Sequence, residues 1–293
     1  VITCHSLPVL HVCVRMKDRL GCKLMYEPHE LETETAVSRG IRQKLAKRLE
    51  RKLISQCDGI ITVCRAIADW YADEYGVDTP AVVRNLPRNY SGERTKRTRA
   101  LRDKFAIPDD EQLFLYQGIF GQGRRVRQYL EVFADLGRPY HVVFMGHGDF
   151  QEEIRKSALK HDNVHFQESV SPEDILYHTA GADIGLCGVE NVCLSYYFSL
   201  PNKFFEYMTA GIPCLVPEFP EMRRIVKETG CGWLHGDGPE QLTERIRGLQ
   251  PKDIEMRRAK TATALSRYRW ENEQITLIEA YKRLLNRKKT KAG

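Results

Sequence analysis

Short apolar runs alternate along the chain with stretches whose apolar residues recur every three or four positions. Val1–Thr3, Lys23–Tyr26, Gly59–Val63 and Ala81–Arg84 read as strands. Val9–Leu20, Glu34–Gln56 and Ala66–Glu74 read as the helices between them. A polar, basic stretch from Pro87 to Thr98 has no apolar period and reads as a linker. A second set follows, with strands at Leu113–Tyr116, His141–Met145, Val164–Phe166 and Asp183–Cys187. Its helices are expected at Arg125–Asp135, Phe150–Leu159 and Pro172–Thr179. Pro201 suits a helix start, Gly211 the position past its end, and Ile212–Val216 a buried strand. Glu221–Lys227, Glu240–Leu249, Asp253–Ser266 and Trp270–Asn286 complete the helices. Strand–helix alternation at this pitch predicts an α/β fold with mostly parallel, doubly wound sheets. Ligands of such sheets bind outside the carboxyl ends of the strands, and two such layers predict two domains with a cleft between them.

Composition narrows the setting. The chain of 293 residues has room for two domains, and no run of eighteen apolar residues is present to span a membrane. Nine cysteines show no CxxC or paired spacing, and Cys64, Cys187 and Cys214 lie in or beside apolar strand-like runs. A reducing, cytoplasmic setting without disulfides or a zinc site is expected. Residues 1–100 hold 18 Lys and Arg against 12 Asp and Glu, so the whole formal net charge of +6 belongs to the first third. Arg39, Arg42, Lys44, Lys47 and Arg48 crowd one helix, with Ile41, Leu45 and Leu49 as a stripe expected to pack inward. That helix is either a solvated face or a surface for anionic lipid headgroups, and both hold if the basic side faces out. A nucleic-acid partner is not expected, because no aromatic platform accompanies the charge.

Three stretches carry candidate chemistry. In the helix after Pro201, Lys203, Glu206 and Ala210 share a face. Lys203 and Glu206 form either a surface ion pair or an anion-and-diol site at a helix N-terminus. Gln117–Arg124 joins a strand to a helix with Gly118, Gly121 and Gly123, so backbone N–H groups can approach a phosphate that Arg124 neutralises. Gly146 and Gly148 flank His147 at the end of the next strand, as a turn or a nucleoside contact. His29 follows a strand in Tyr26–Glu30, where an imidazole can serve as acid, base or sugar contact.

The run PNKFFEYMTAGIPCLV followed by FPE resembles the signature of retaining GT-B glycosyltransferases of family 4. The resemblance implies two Rossmann-like domains facing a cleft. Residues 1–98 would be the acceptor-side domain with its linker, 99–268 the nucleotide-sugar donor domain, and 269–293 a helix returning to the first domain. It implies that Glu206 binds ribose hydroxyls and that Lys203 and Arg124 hold the diphosphate. Gly118, Gly121, Gly146 and Gly148 would lie along the nucleotide, and His29 would act at the donor sugar. Arg125 stands where the family has glycine, so either arginine is open as the contact, with Arg124 favoured. The substrate would be a UDP- or GDP-linked sugar, with no further cofactor and no metal, since no DxD pair occurs. The acceptor would be a glycan or lipid-linked intermediate of polysaccharide biosynthesis at the cytoplasmic membrane face. The rival readings are a non-catalytic subunit needing a partner chain and a GT-B sugar-nucleotide epimerase. Two departures stand out. The first glutamate of the family's pair is replaced by Phe198, with Glu190 nearby, and the family's opening strand and glycine-rich loop are missing before Val1. An upstream segment or a partner would supply them.

Overall fold

The computed structural model describes residues 1–87 and 96–286. The chain divides into two compact units. The first comprises Val1–Leu86, Asn191–Leu200 and the chain from Trp270. The second comprises Pro87–Glu190 and Pro201–Arg269. Two boundaries differ from the sequence reading. The first unit ends at Leu86, and Asn191–Leu200 joins it because Leu194, Phe198 and Leu200 pack on its core. Residues 88–95 of the expected linker lie outside the described residues. Beyond them Arg97 is anchored, its Nη2 donating to Asp183 Oδ1 at 2.6 Å, and Thr98 Oγ1 donates to Tyr177 O at 2.8 Å.

The first unit runs β1 (Ile2–Cys4), α1 (Leu7–Leu20), β2 (Leu24–Tyr26), α2 (Gly40–Ile54), β3 (Gly59–Thr62), α3 (Arg65–Tyr75) and β4 (Ala81–Val82). Its strands lie in the order β1-β2-β3-β4, all parallel, with Cys4 opposite Tyr26. The helix at Asn286 belongs here too. Its residue Leu284 packs with Met25 and Ile61. Its Glu273 accepts from the Arg84 backbone N–H at 2.7 Å and from Arg84 Nη1 at 2.9 Å.

Helix α2 departs from expectation in two ways. It starts at Gly40, not Glu34, and Glu34 instead reaches back from the preceding turn to Gln43 and Lys47. The stripe expected to pack inward is exposed, with Ile41 77%, Leu45 57% and Leu49 44% accessible. The inward side carries Leu53, Ile54 and a buried Glu50. Its carboxylate accepts from the phenols of Tyr26, Tyr71 and Tyr75 at 2.9, 2.8 and 2.6 Å. Three phenol donors satisfy a carboxylate that would otherwise be costly to bury, so a polar residue fixes the helix orientation. Lys47 is also corrected. It sits partly buried between Glu34 and Glu74 with its ammonium over the Trp70 ring, because its position on α2 faces α3. Arg39, Arg42, Lys44 and Arg48 remain exposed.

In the second unit α4 (Ala100–Phe105) precedes β5 (Gln112–Ile119), α5 (Val126–Leu136), β6 (Tyr140–His147), α6 (Gln151–Ala158), β7 (Val164–Glu168), α7 (Ile175–Thr179) and β8 (Ile184–Leu186). The short helix α8 (Leu194–Tyr197) lies in the first unit. Then come α9 (Asn202–Thr209), β9 (Cys214–Pro217), α10 (Pro220–Thr229), β10 (Gly232–His235), α11 (Pro239–Arg247) and α12 (Pro251–Arg267). The helix of the first unit is α13 (Trp270–Asn286). The second sheet is parallel throughout, in the order β10-β9-β8-β5-β6-β7. Strand order reverses between β5 and β8, and crevices for ligands open at the carboxyl ends on either side of such a switch. Apolar runs on both faces explain the near-continuous burial of β5 and β6. Among the described residues no helix is long and apolar enough to cross a membrane.

Candidate active site

Helix α9 is set over the switch point by Tyr207. Its buried hydroxyl accepts from the Gln117 backbone N–H at 3.2 Å and lies 3.1 and 3.0 Å from the carbonyl oxygens of Leu115 and Leu186. One phenol therefore ties α9 to both β5 and β8. Gly185 makes room, since a Cβ there would fall 2.4 Å from the Tyr207 ring. Pro201 is the N-cap, one place earlier than expected, and Gly211 ends the helix with φ 73°.

Lys203 lies one turn before Tyr207. Its Nζ rests 3.9 Å from the centroid of the Tyr116 ring, and a Cβ added to Gly118 would sit 3.6 Å from it. Among the described residues it forms no ion pair with Glu206, which sets aside the surface ion pair. Burial pushes the Lys203 ammonium down to about 8, the nearby Cys187 thiol opposes that shift, and Arg124 adds to it. Burial in turn pushes Cys187, at the end of β8, up to about 12. A partly buried lysine close to a second cation has a lowered affinity for its proton and gains most from a neighbouring anion.

Glu206 points elsewhere. Its Oε2 accepts from Gln117 Nε2 at 2.5 Å, and Gln117 Oε1 accepts from the Thr179 hydroxyl at 2.7 Å. The chain Thr179–Gln117–Glu206 orients the carboxylate through one of its oxygens.

The two arginines separate clearly. Arg125 is buried with φ 56°. Its Nε donates to Val189 O at 2.5 Å, its Nη1 to Gln128 Oε1 at 2.8 Å and to Asp237 O at 3.0 Å, and its Nη2 to the Asp237 carboxylate. It clasps the loops around the start of α5. Glu190, the nearby glutamate, accepts from the Arg125 backbone N–H at 3.2 Å, so it caps this turn. Arg124 is partly buried and acts electrostatically on Lys203, Tyr116 and Cys187.

The glycines differ in what they do. Gly118 and Gly121 keep the end of β5 open: nothing but Lys203 lies near the first and only an Ile119 methyl near the second. Gly146 and Gly148 are demanded by the backbone. A Cβ would strike Gly118 O at 1.9 Å from the first and Phe120 O at 2.6 Å from the second, and both have positive φ. His147 is exposed and pairs with Ser169 Oγ at 2.7 Å.

His29 stands in the first unit, exposed on the loop after β2, with its ring edge-on to His5 at 5.4 Å. Sequence reasoning passed over Tyr116, Gln117, Thr179 and Cys187. Gln117 opens the glycine-bearing loop after β5, but nothing in the sequence marks which strand-end side chain will meet Glu206. Among the described residues no group of three His, Cys, Asp or Glu gathers as a metal site.

The family model for Glycosyl transferases group 1 matches residues 97–264, and that for Glycosyltransferase Family 4 matches residues 1–85. No curated protein matches the chain. Among solved structures, Anabaena HepE in complex with UDP and glucose is similar at TM-score 0.75 and 14% identity, over 96% of this chain and 77% of that one. Sucrose-phosphate synthase from Thermosynechococcus elongatus is similar at TM-score 0.77 and 15% identity, over 97% and 73%. The lipopolysaccharide outer core galactosyltransferase WaaB in its apo form is similar at TM-score 0.66 and 14% identity, over 96% and 74%.

Proposed function

The chain belongs to the glycosyl transferases group 1 family and has a GT-B fold, and on that premise we propose that it moves a sugar, with retention, from a UDP- or GDP-linked donor to a glycan or lipid-linked acceptor. The observation that carries this reading is Lys203: a cation desolvated at the switch point, next to Arg124 and above an open Gly118. In this reading the donor diphosphate lies over Gly118 and Gly121, between Lys203 and Arg124. The free N–H groups at the start of α9 add partial positive charge. Glu206, steadied by Gln117, binds the ribose hydroxyls. As the bond from sugar C1 to phosphate oxygen breaks, negative charge grows on the diphosphate, and preorganised cations stabilise that change most. Two protein cations at the leaving group support transfer without a metal ion. The acceptor attacks the same face that the diphosphate leaves, and the departing phosphate oxygen takes the acceptor proton. UDP in the HepE structures favours the uridine donor.

The first unit suits an anionic membrane surface. Ile41, Leu45 and Leu49 are exposed on α2 beside Arg39, Arg42, Lys44 and Arg48, and Val12, Met16 and Leu20 are exposed on α1. Apolar residues inserted among headgroups and flanked by cations are the mark of an interfacial helix. In this reading the acceptor is a lipid-linked intermediate at the cytoplasmic face.

The reading is tested by calorimetry with UDP and GDP on the wild type and Lys203→Ala. One nucleotide binds the wild type and loses at least tenfold in affinity in the variant. Equal affinity in both proteins removes the site.

A further inference from the structure

The carboxyl edge of the first sheet carries a second organised cluster, one residue beyond the paired strand ends Cys4 and Tyr26. His5 follows β1 and Glu27 follows β2. His5 Nδ1 lies 3.5 Å from Glu27 Oε2. The other oxygen, Glu27 Oε1, accepts from the Tyr281 hydroxyl at 2.9 Å, and that hydroxyl lies 2.8 Å from Thr3 Oγ1. The Glu27 backbone N–H donates to Cys4 O at 2.8 Å. The carboxylate is therefore fixed at its backbone and at one oxygen, and it turns the other toward an imidazole. The glutamate side chain is 17% exposed and the histidine side chain 56%.

We propose that His5 binds a sugar hydroxyl of the substrate, presented as a hydrogen-bond acceptor by Glu27 and Tyr281. A carboxylate facing Nδ1 draws the neutral ring's proton to that nitrogen and leaves the Nε2 lone pair outward. This is the logic of an orienting acid behind a working imidazole. The 3.5 Å separation is long, as such pairs are before substrate tightens them. An ordinary exposed histidine–glutamate pair contributes little and needs no third residue to aim it. Here α13 supplies a phenol from 254 residues away for that purpose. His29 lies edge-on to the same ring, with centroids 5.4 Å apart. Within this cluster Tyr281 and Glu27 are positioning residues, and His5 is the one that touches substrate. The proposal rests on the glycosyl-transfer reading for the nature of the hydroxyl, not for the geometry.

Nitrogen NMR of the full chain at alkaline pH, with the imidazoles neutral, reads the tautomer directly. His5 is expected with its proton on Nδ1, moving to Nε2 in Glu27→Gln and partly in Tyr281→Phe. In parallel, UDP release from UDP-glucose, with water as acceptor, is expected to fall at least tenfold in His5→Ala and less in His5→Gln, with UDP affinity unchanged. A wild-type His5 protonated on Nε2, a tautomer indifferent to Glu27, or full turnover in His5→Ala overturns the proposal. A wild type that neither binds UDP nor releases it refutes the uridine donor instead, and the tautomer alone then decides for or against the dyad.

Discussion

The ammonium of Lys203 stands 3.9 Å from the centre of the Tyr116 ring, and Tyr116 belongs to the strand that ends at Gly118. A partly buried cation thus rests on an aromatic face, a contact worth about 0.5–2 kcal/mol. A diphosphate would pair with the same ammonium far more strongly.

The depressed Lys203 ammonium makes nucleotide affinity pH-dependent. Its proton is lost near pH 8 in the free protein, so UDP affinity is expected to fall as pH rises through 8. Stability moves the opposite way. The unfolded chain holds this proton up to the ordinary lysine value of 10.5, so between 8 and 10.5 the lysine's contribution to stability rises with pH. Calorimetry across this range checks the first effect, and an affinity that does not change through pH 8 refutes it. Lys203→Met should remove both trends.

Adjacent arginines should behave as different kinds of residue. Arg124→Ala is expected to cost roughly 2–4 kcal/mol of transition-state stabilisation and to destabilise the fold less than loss of the fully buried Arg125. Arg125→Ala leaves the buried Val189 carbonyl unpaired and empties a buried guanidinium site, and is expected to destabilise the fold by about 1–3 kcal/mol. Denaturant melts with turnover assays separate the two, and an Arg124→Ala more destabilised than Arg125→Ala would reverse the assignment.

Glu206→Ala should abolish nucleotide-sugar binding while the fold survives. Gln117→Ala should weaken it less, because it frees the carboxylate without removing it. Unchanged donor affinity in Glu206→Ala would dismiss the ribose role.

Arg42, Lys44 and Arg48 replaced together by glutamine should release the protein from anionic vesicles. Each basic residue near such a surface contributes about 1 kcal/mol. Leu45→Ser with Leu49→Ser should do the same in high salt, where charge is screened. Lys47→Gln should instead loosen α2 from α3. Vesicle sedimentation at low and high salt decides. Wild-type protein that stays in the supernatant at low salt would leave α2 as a solvated face.

Much of this was legible in the chain because strand–helix alternation and the helix signals around Pro201 and Gly211 are local. The strand at β10 and the helices α4 and α8 were missed, being short and weakly periodic. The orientation of α2 was misread because its apolar stripe looked like an inner face. Only the phenols of Tyr26, Tyr71 and Tyr75, from distant segments, make Glu50 the inward residue. The same limit hid Gln117 and Tyr281. Each acts across a gap of 89 or 254 residues, and one sequence carries no signal of that pairing.

Helix α13 leaves the ribosome after every strand of both sheets. Met25 and Ile61 emerge well before it, yet the residue that packs with them is Leu284. At typical synthesis rates of about 5–20 residues per second, the apolar floor of the first sheet waits on the order of ten seconds or more for its cover. During that interval the whole second unit has been made. Nascent chains stalled before Trp270 should therefore bind hydrophobic chaperones through their opening segment. A stop codon there would leave the first sheet uncovered, although it removes none of its strands.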